Sequence, residues 1–144
     1  MGSQFQSKDQ KGNKRWNRVV RIDKRSIKVI ITGYAKKEFD KLNKIVGEEI
    51  KNGITKSDNQ ILLSSIKQKI DLLKENPLFG INISKDRIPK KYVLEFCTNN
   101  LWKINLSNAW RMIYTINGDK VEIICIILDV LDHKTYSNKF GYKK

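Results

Sequence analysis

The residues of this chain that could do chemistry are concentrated near its C-terminal end. The only histidine, His133, opens a segment, residues 133–144, that contains four lysines, two tyrosines and no acidic residue. A histidine can accept or donate a proton near neutral pH, lysines neutralise phosphate charge, and aromatic rings stack on unpaired bases. The segment therefore predicts a site for a phosphodiester backbone.

Three strands are predicted directly before this segment. Residues 101–106 alternate apolar and polar side chains, which predicts a half-buried strand whose polar face, with Lys103, points outward. Residues 110–116 are aromatic and β-branched, and Arg111 is expected to be half-sheltered on one face of this second strand. Residues 121–130 are nearly all apolar, as expected of a central strand covered on both faces. The histidine would then lie just beyond the exit of the third strand.

Two turns and one long connection are predicted around these strands. Asn117 and Gly118 favour a tight hairpin turn between the second and third strands, because this pair tolerates the positive φ that such a turn requires. Residues 107–109 are turn-like and separate the first strand from the second. Residues 78–99 show little periodicity, and we interpret them as a connection without assigned structure.

A strand and two helices are predicted earlier in the chain. Residues 27–32 form a short β-branched run, and a helix is predicted over about 34–51. Ser57 and Gln60 form a capping-box pattern that predicts a second helix, which the Asn-Pro pair at 76–77 ends. The apolar stripes of the two helices predict an antiparallel helical hairpin that packs on the sheet.

Length and composition indicate a single domain. The 144 residues, 40% of them hydrophobic, are enough to bury a core without disulfides or metals. Cys97 and Cys125 lie in strand-like, apolar surroundings and are interpreted as buried thiols in a reducing cytoplasm. Glu122 and Asp129 have opposite strand parity and therefore predict no metal site. No apolar run reaches the roughly 18 residues that span a bilayer, so we expect a cytoplasmic protein without membrane association.

The net charge of +14 is concentrated at the two ends of the chain. Residues 1–28 contain nine Lys or Arg and two acidic residues, a net +7, and residues 133–144 add +4. This asymmetry predicts a polyanionic partner, because each neutralised phosphate releases counterions. A basic tail that serves only solubility is the alternative. We interpret residues 1–26 as a disordered basic extension and residues 27–144 as the folded domain.

The order of the predicted elements indicates an α+β fold with an N-terminal strand, an antiparallel helical hairpin packed on a mainly antiparallel sheet, and a short basic C-terminal segment. From about residue 27 to residue 144 the chain resembles the RelE/ParE superfamily of type II toxin–antitoxin toxins, and most closely an archaeal RelE-like branch. Four segments carry the resemblance: NPLFGINI (76–83), LWKINL (101–106), WRMIYTI (110–116) and LDHKTYSNKFGYKK (131–144). The resemblance implies a RelE/ParE-like fold.

The resemblance also implies a ribosome-dependent endoribonuclease that cleaves messenger RNA and inhibits translation. In nucleases of this family the equivalents of Arg111 and Lys103 lie at the active site, and His133 resembles a proton-transfer histidine. Tyr136, or alternatively Tyr142, resembles a tyrosine that orients the substrate or stacks on it. The implied reaction is attack of a 2′-hydroxyl on the adjacent phosphate, which leaves a cyclic phosphate and needs no metal and no cofactor.

Further basic and aromatic residues are assigned to RNA binding: Lys134, Lys139, Tyr142, Lys143, Lys90 and Lys91. The implied partners are the ribosome with its messenger RNA and a cognate antitoxin protein. Asn105 stands where bacterial RelE carries a second lysine, which disfavours a mechanism that uses two lysines.

Several alternatives stay open at the level of the sequence. The superfamily includes gyrase inhibitors that lack the nuclease residues, and the same fold could serve as a non-catalytic module that binds RNA or the ribosome. Arg111 could be a structural residue paired with Asp129 or Glu95. Lys103 could be an ordinary exposed strand lysine, and the two C-terminal tyrosines could simply pack the tail onto the sheet.

Overall fold

The computed structural model of the protein describes residues 25–141. Within that range the fold is α+β, as predicted, and it contains five strands and four α-helices. The strands are β1 (Ser26–Ile31), β2 (Ile81–Ile83), β3 (Leu101–Asn105), β4 (Arg111–Gly118) and β5 (Glu122–Leu131). The helices are α1 (Gly33–Lys51), α2 (Asp58–Glu75), α3 (Lys90–Phe96) and α4 (His133–Phe140). The predicted N-terminal extension, apart from its last two residues, lies outside the described residues, and so do Tyr142 and Lys143.

The five strands form one sheet in the order β1-β5-β4-β3-β2. β1 runs parallel to β5, and the other three pairings are antiparallel, which confirms the prediction of a mainly antiparallel sheet. β5 has neighbours on both sides and most of its residues are buried, in line with the central strand predicted from its apolar run. The last residue of β5 pairs with the first residue of β4, and that residue pairs on its other side with the last residue of β3. These ends of the three strands therefore lie at one end of the sheet.

α1 and α2 cover the first face of the sheet as a helical hairpin. The hydroxyl oxygen of Ser57 accepts a hydrogen bond from the backbone N–H of Gln60 at 3.1 Å, which confirms the predicted cap of α2. The apolar stripes of both helices are buried against β3, β4 and β5, as predicted. The core of this face includes Ala35, Leu42, Val46, Leu62, Leu63, Ile66, Leu73, Ile104, Met112, Tyr114, Cys125 and Ile127.

α3 and α4 cover the second face of the sheet, and the sequence reading missed this layer. Residues 78–99 are not a plain connection, because they contain β2 and α3. The basic C-terminal segment is not a tail either, because residues 133–140 form α4. These elements are three to eight residues long, too short for a clear period. The second core contains Ile83, Tyr92, Leu101, Ile113, Leu128, Leu131, Tyr136 and Phe140.

The predicted two-residue turn at Asn117 and Gly118 is wrong. Both residues are still paired with β5, and neither has a positive φ. The chain reverses over the next three residues instead. The carboxylate of Asp119 accepts hydrogen bonds from the backbone N–H groups of Val121 and Glu122, each at 2.8 Å, and these bonds lower the pKa of Asp119. An aspartate that bonds its own backbone can set a turn as firmly as an Asn-Gly pair.

The two cysteines occupy different environments. Cys125 is buried in β5, as predicted, and its burial raises the pKa of the thiol to about 11. Cys97 is exposed, which contradicts the prediction that it is buried. It ends α3 in the left-handed conformation, with φ at 52°, so it lies outside the strand that its apolar neighbours suggested. Within residues 25–141, no helix is long and apolar enough to span a membrane.

Candidate functional site

The site is built on the second face of the sheet, where β3, β4 and β5 end. Strand register aligns Lys103 with Ile113 and Ile113 with Asp129, so these three residues form one row across the sheet. The next row contains Arg111, between Asn105 and Leu131. Residues two apart on a strand share a face, so the lysine and the arginine lie on the face that α4 covers. Two of the predicted active-site cations therefore share one surface.

Tyr136 of α4 packs between these two cations. The ammonium of Lys103 donates a hydrogen bond to the Tyr136 hydroxyl at 3.1 Å and lies 5.2 Å from the centre of its ring. The guanidinium carbon of Arg111 lies 5.4 Å from the same ring centre. Both distances are in the range of cation–π contacts. The structure thus brings together three of the four residues predicted to be catalytic, and we name them the Lys103–Tyr136–Arg111 cluster.

Tyr136 is part of the core as well as part of the cluster. Its side chain is only 3% exposed, and its ring stacks on Phe140 with the ring centres 4.7 Å apart. A ring buried in this way has no free face for a nucleobase. In this arrangement Tyr136 can fix the positions of the two cations, but it cannot stack on a substrate.

The loop between β3 and β4 fixes the direction of the Arg111 side chain. Nη1 of Arg111 donates hydrogen bonds to the carbonyls of Ala109 at 2.8 Å and Trp110 at 3.2 Å. Asn108 and Ala109 have φ values of 55° and 64°, a left-handed conformation that is unfavourable for alanine. Backbone strain of this kind clusters at functional sites. The Arg111 Nε is buried and has no hydrogen-bond partner among residues 25–141, so the guanidinium keeps one donor unused.

The alternative in which Arg111 pairs with Asp129 is wrong. Asp129 is 3% exposed, and its carboxylate accepts hydrogen bonds from the Tyr92 hydroxyl at 2.7 Å and from the Lys139 ammonium at 3.4 Å. Burial and the charge of Asp129 raise the pKa of Tyr92 well above its usual value. This network ties α3 and α4 to β5. No ion pair joins Arg111 to Glu95 in the described part of the chain either.

Lys103 differs from the expected exposed strand lysine. It is half-buried, because α3 and α4 cover the face on which it lies. Residues 101–106 were predicted to form a strand with one buried face, and that face, on the first side of the sheet, is indeed buried. The second face is also covered, and the hydrogen bond to Tyr136 orients the Lys103 ammonium there.

His133 is the first residue of α4 and is exposed, two residues after the end of β5, as predicted. Asp132 caps this helix, and its carboxylate accepts a hydrogen bond from the backbone N–H of Thr135 at 2.8 Å. That bond is the main reason why the pKa of Asp132 is lowered. Residues three apart on a helix are about one turn apart, so His133 lies one turn before Tyr136 of the cluster.

The residues predicted to bind RNA fall into two groups. Lys134 in α4 and Lys90 and Lys91 in the first turn of α3 are exposed and can reach a polyanion. Lys139 is instead part of the Asp129 network, and its ammonium lies 5.6 Å from the ring centre of Tyr34. Lys139 therefore lies beside Asp129. In the row across the sheet, Asp129 on β5 and Lys103 on β3 are two strands apart.

One local signal points to the polar network that was not predicted. Asp129 is the one charged residue between Ile123 and Leu131, and a carboxylate in such an apolar run needs a buried partner. Nothing local identifies Tyr92 as that partner, since it lies 37 positions away. The strained loop at Ala109 also has no local signal, because alanine is not a typical left-handed residue.

No protein-family model matches this chain, and no curated protein matches its sequence significantly. Within residues 25–141 no group of three or more His, Cys, Asp or Glu side chains is arranged to hold a metal ion. The chemistry that the two cations of the cluster can offer is stabilisation of negative charge.

Proposed function

We propose that this chain is a RelE-like toxin that cleaves messenger RNA in the ribosomal A site and is held inactive by a cognate antitoxin. The observation that supports the proposal is the Lys103–Tyr136–Arg111 cluster, with His133 one helical turn from its tyrosine. Two cations held close together suit a phosphate group that gains negative charge during a reaction. An exposed imidazole one helical turn before Tyr136 suits proton transfer.

The proposed reaction is a transesterification within the RNA strand. His133 accepts the proton of a 2′-hydroxyl, and the resulting oxygen nucleophile attacks the adjacent phosphorus. The bond from phosphorus to the 5′-oxygen breaks, and that oxygen takes up a proton and leaves as a 5′-hydroxyl. The other fragment keeps a 2′,3′-cyclic phosphate. Arg111 and Lys103 stabilise the charge on the phosphorus oxygens, and one such donor is typically worth about 10²–10³-fold in rate.

Tyr136 has a positioning role in this proposal. Its hydroxyl orients the Lys103 ammonium, and its ring supports the Arg111 guanidinium from one side. The carbonyls of Ala109 and Trp110 support the guanidinium from the loop. A guanidinium held in this way loses little side-chain entropy when it binds a phosphate.

The test is translation in vitro with purified ribosomes, with messenger RNA ends mapped by primer extension. Wild-type protein should cut the message only when ribosomes are present. Arg111→Ala and His133→Ala should each reduce the cleavage rate at least about a hundredfold, equivalent to about 2.7 kcal/mol. Arg87→Ala is the matched control, because Arg87 is an exposed arginine outside the cluster, and it should cleave at the wild-type rate.

Two results would contradict the proposal. The message could stay intact with wild-type protein, in which case supercoiling by gyrase should be assayed next, as expected for the other branch of the superfamily. Alternatively, the message could be cut equally well by wild type, Arg111→Ala and His133→Ala, in which case the cluster is not the active site.

A further inference from the structure

A polar groove lies between helix α2 and the loop that joins β3 to β4. It has a volume of about 430 Å³. Two amides, Gln60 and Gln68, and one ammonium, Lys56, line it, and none of the described residues in its wall is acidic. The wall also contains five hydroxyl side chains: Thr55, Ser57, Ser64, Ser65 and Ser107. We name it the α2 groove.

Glu49 of α1 fixes one end of this groove. Its carboxylate accepts hydrogen bonds from the Ser57 hydroxyl and from Nε2 of Gln60, the second at 3.1 Å. The bond from Ser57 is the main reason why the pKa of Glu49 is lowered. Nε2 of Gln60 also donates to the carbonyl of Ile54 at 2.9 Å, so the Gln60 side-chain oxygen is left to accept a hydrogen bond from a ligand. A wall that is fixed in this way loses little entropy when a ligand binds.

Other polar groups of the groove also have unused hydrogen-bonding capacity. Thr55 and Ser64 are exposed, and their hydroxyls bond to no other group in the part of the chain that the structure describes. The Ser65 Oγ accepts the backbone N–H of Ser107 at 3.3 Å, which leaves its own proton to donate. The Ser107 Oγ is buried and has no partner among the described residues. A buried polar atom in this state calls for a partner from outside the chain.

The charge of the lining indicates the class of ligand. Lys56 is the single charged residue among the described residues that line the groove, so the groove suits one anionic group flanked by neutral hydrogen-bonding groups. A nucleic-acid strand has this composition, because one phosphodiester charge alternates with one sugar. Lys, Ser, Thr and Gln are among the side chains that usually contact phosphates and sugars. An acidic protein segment, with adjacent carboxylates, would need more than one cation.

The α2 groove shares the β3–β4 loop with the Lys103–Tyr136–Arg111 cluster. Ser107 lines the groove, and the carbonyls of Ala109 and Trp110 accept hydrogen bonds from Arg111. Ser107 and Arg111 are four positions apart, so their Cα atoms are separated by at most about 14 Å. About four stacked nucleotides, at roughly 3.4 Å each, cover this distance. A single strand is therefore long enough to contact both.

We propose that the α2 groove binds the sugar–phosphate backbone of a single RNA strand, with the Lys56 ammonium at a phosphate and the hydroxyl and amide groups at the neighbouring riboses. This contact reads no base. The inference goes beyond the proposed function, because it requires RNA binding and no cleavage. It also places an RNA contact at α2, away from the basic C-terminal segment to which the sequence assigned RNA binding.

The first test locates the RNA by NMR on the full chain labelled with ¹⁵N, with a ten-uridine RNA and no ribosomes. The side-chain amide signals of Gln68, assigned with Gln68→Leu, should shift during the titration. Those of Asn43, an exposed amide of α1 outside the groove, should stay in place. A ten-residue deoxyuridine strand should bind several-fold more weakly, because it lacks the 2′-hydroxyls that the groove would contact.

The second test measures the affinity for the same RNA at several salt concentrations. One phosphate contact to a single strand contributes about 0.7 to the slope of log K against log salt concentration. Lys56→Gln should therefore reduce the magnitude of the slope by about 0.7 and weaken binding a few-fold at low salt. Lys67→Gln, at an exposed lysine of α2 outside the groove, is the matched control and should change neither. Ser64→Glu adds a carboxylate at an exposed position of the wall and should weaken binding about tenfold.

Four outcomes would overturn the RNA site. The Gln68 signals could remain unshifted by RNA, the RNA and deoxyuridine strands could bind equally well, or Lys56→Gln could keep the wild-type slope. In the fourth outcome, a ten-residue glutamate peptide shifts the Gln68 signals at lower concentration than the RNA does, and the groove is then a site for an acidic protein segment. None of these measurements involves message cleavage, so a failure of the nuclease proposal is recognised separately in the translation assay.

Discussion

α1 and α2 cover one face of the sheet, and the core between them is almost wholly apolar. α3 and α4 cover the other face, where polar and charged side chains lie among the apolar ones. On the first face the hydroxyl of Tyr114 is a buried polar group, and it donates to the carbonyl of Pro77 at 2.8 Å. On the second face Asp129 is 3% exposed and Thr115 2% exposed, and Lys103 and Arg111 are half-buried.

The difference shows how one sheet can bury apolar side chains on one face and position polar side chains on the other. Apolar burial is favourable in proportion to the area removed from water, so the first face supplies stability without directional contacts. A buried polar group costs free energy unless it is hydrogen-bonded, so each one on the second face has a defined partner or a defined direction. Such constraints hold side chains in the fixed geometry that catalysis requires.

The largest expected effect is the difference in free energy of unfolding between a substitution on the first face and one on the second. Leu73 on the first face is 0% exposed, and Leu73→Ala should lower the free energy of unfolding by roughly 3 to 5 kcal/mol through lost burial and a cavity. Arg111→Ala should cost less than about 1 kcal/mol, because its bonds are to carbonyls of a surface loop. Urea denaturation of both variants measures the difference. Equal losses would mean that the second face is as structural as the first.

The next effect concerns the carboxylate that holds the second layer. Tyr92→Phe and Asp129→Asn should each destabilise the protein, and their effects should not add, with a coupling of about 1 to 3 kcal/mol. The reason is that the Tyr92 hydroxyl and the Asp129 carboxylate bond directly at 2.7 Å. A double-mutant cycle in urea measures this coupling. Strictly additive losses would show that the network does not join α3 to β5.

A smaller effect depends on pH at the start of α4. The folded-state pKa of Asp132 is lowered, so its stabilisation is present above the usual aspartate pKa of about 3.9 and is lost as the pH falls through the folded-state pKa. Asp132→Ala should cost about 1 kcal/mol at pH 6, as for other helix N-caps. The difference between wild type and variant in urea should disappear at acid pH. Asp132→Asn is the control, since asparagine caps a helix without titrating. If the difference between wild type and Asp132→Ala stayed constant down to strong acid, the Asp132 carboxylate would not have this role.

The smallest effect tests the strained loop. Ala109→Gly should raise the free energy of unfolding by about 0.5 to 1 kcal/mol, because glycine adopts the left-handed conformation without a steric penalty. The same change should lower the cleavage rate several-fold if the loop aims the Arg111 guanidinium. Asn108→Gly is the matched control and should stabilise less, since asparagine tolerates this conformation. Thermal unfolding and the cleavage assay together decide whether the strain is coupled to function.

The elements that could be predicted from the sequence are those with long or strongly local signals. The helices at 33–51 and 58–75 have clear apolar stripes, and Ser57 marks the start of the second one. The strands at 101–105, 111–118 and 122–131 follow their apolar patterns to within a few residues. β2, α3 and α4 were missed, because elements of three to eight residues contain too few periods to be read.

Some residues of the candidate site could likewise be predicted from the sequence, and others could not. Arg111, Lys103 and Tyr136 could be selected from the sequence by residue type and resemblance, and the structure brings them together. The face on which Lys103 lies was predicted correctly, but its exposure was predicted wrongly, because nothing in its own strand reveals that a second layer of helices covers it. The Tyr92 hydroxyl lies 37 positions from its partner Asp129 in the chain, so this contact could not be predicted at all.

The sequence by itself determined the fold class, the first core and the identity of the charged and aromatic residues near the C-terminus, because these depend on local periodicity and on residue type. Only the tertiary structure decided which of those residues meet. Strand register places Lys103, Arg111 and Asp129 on one face of the sheet. α4 then buries Tyr136 between Lys103 and Arg111 and places Lys139 beside Asp129. These contacts join residues 10 to 33 positions apart, and no local pattern encodes such distances.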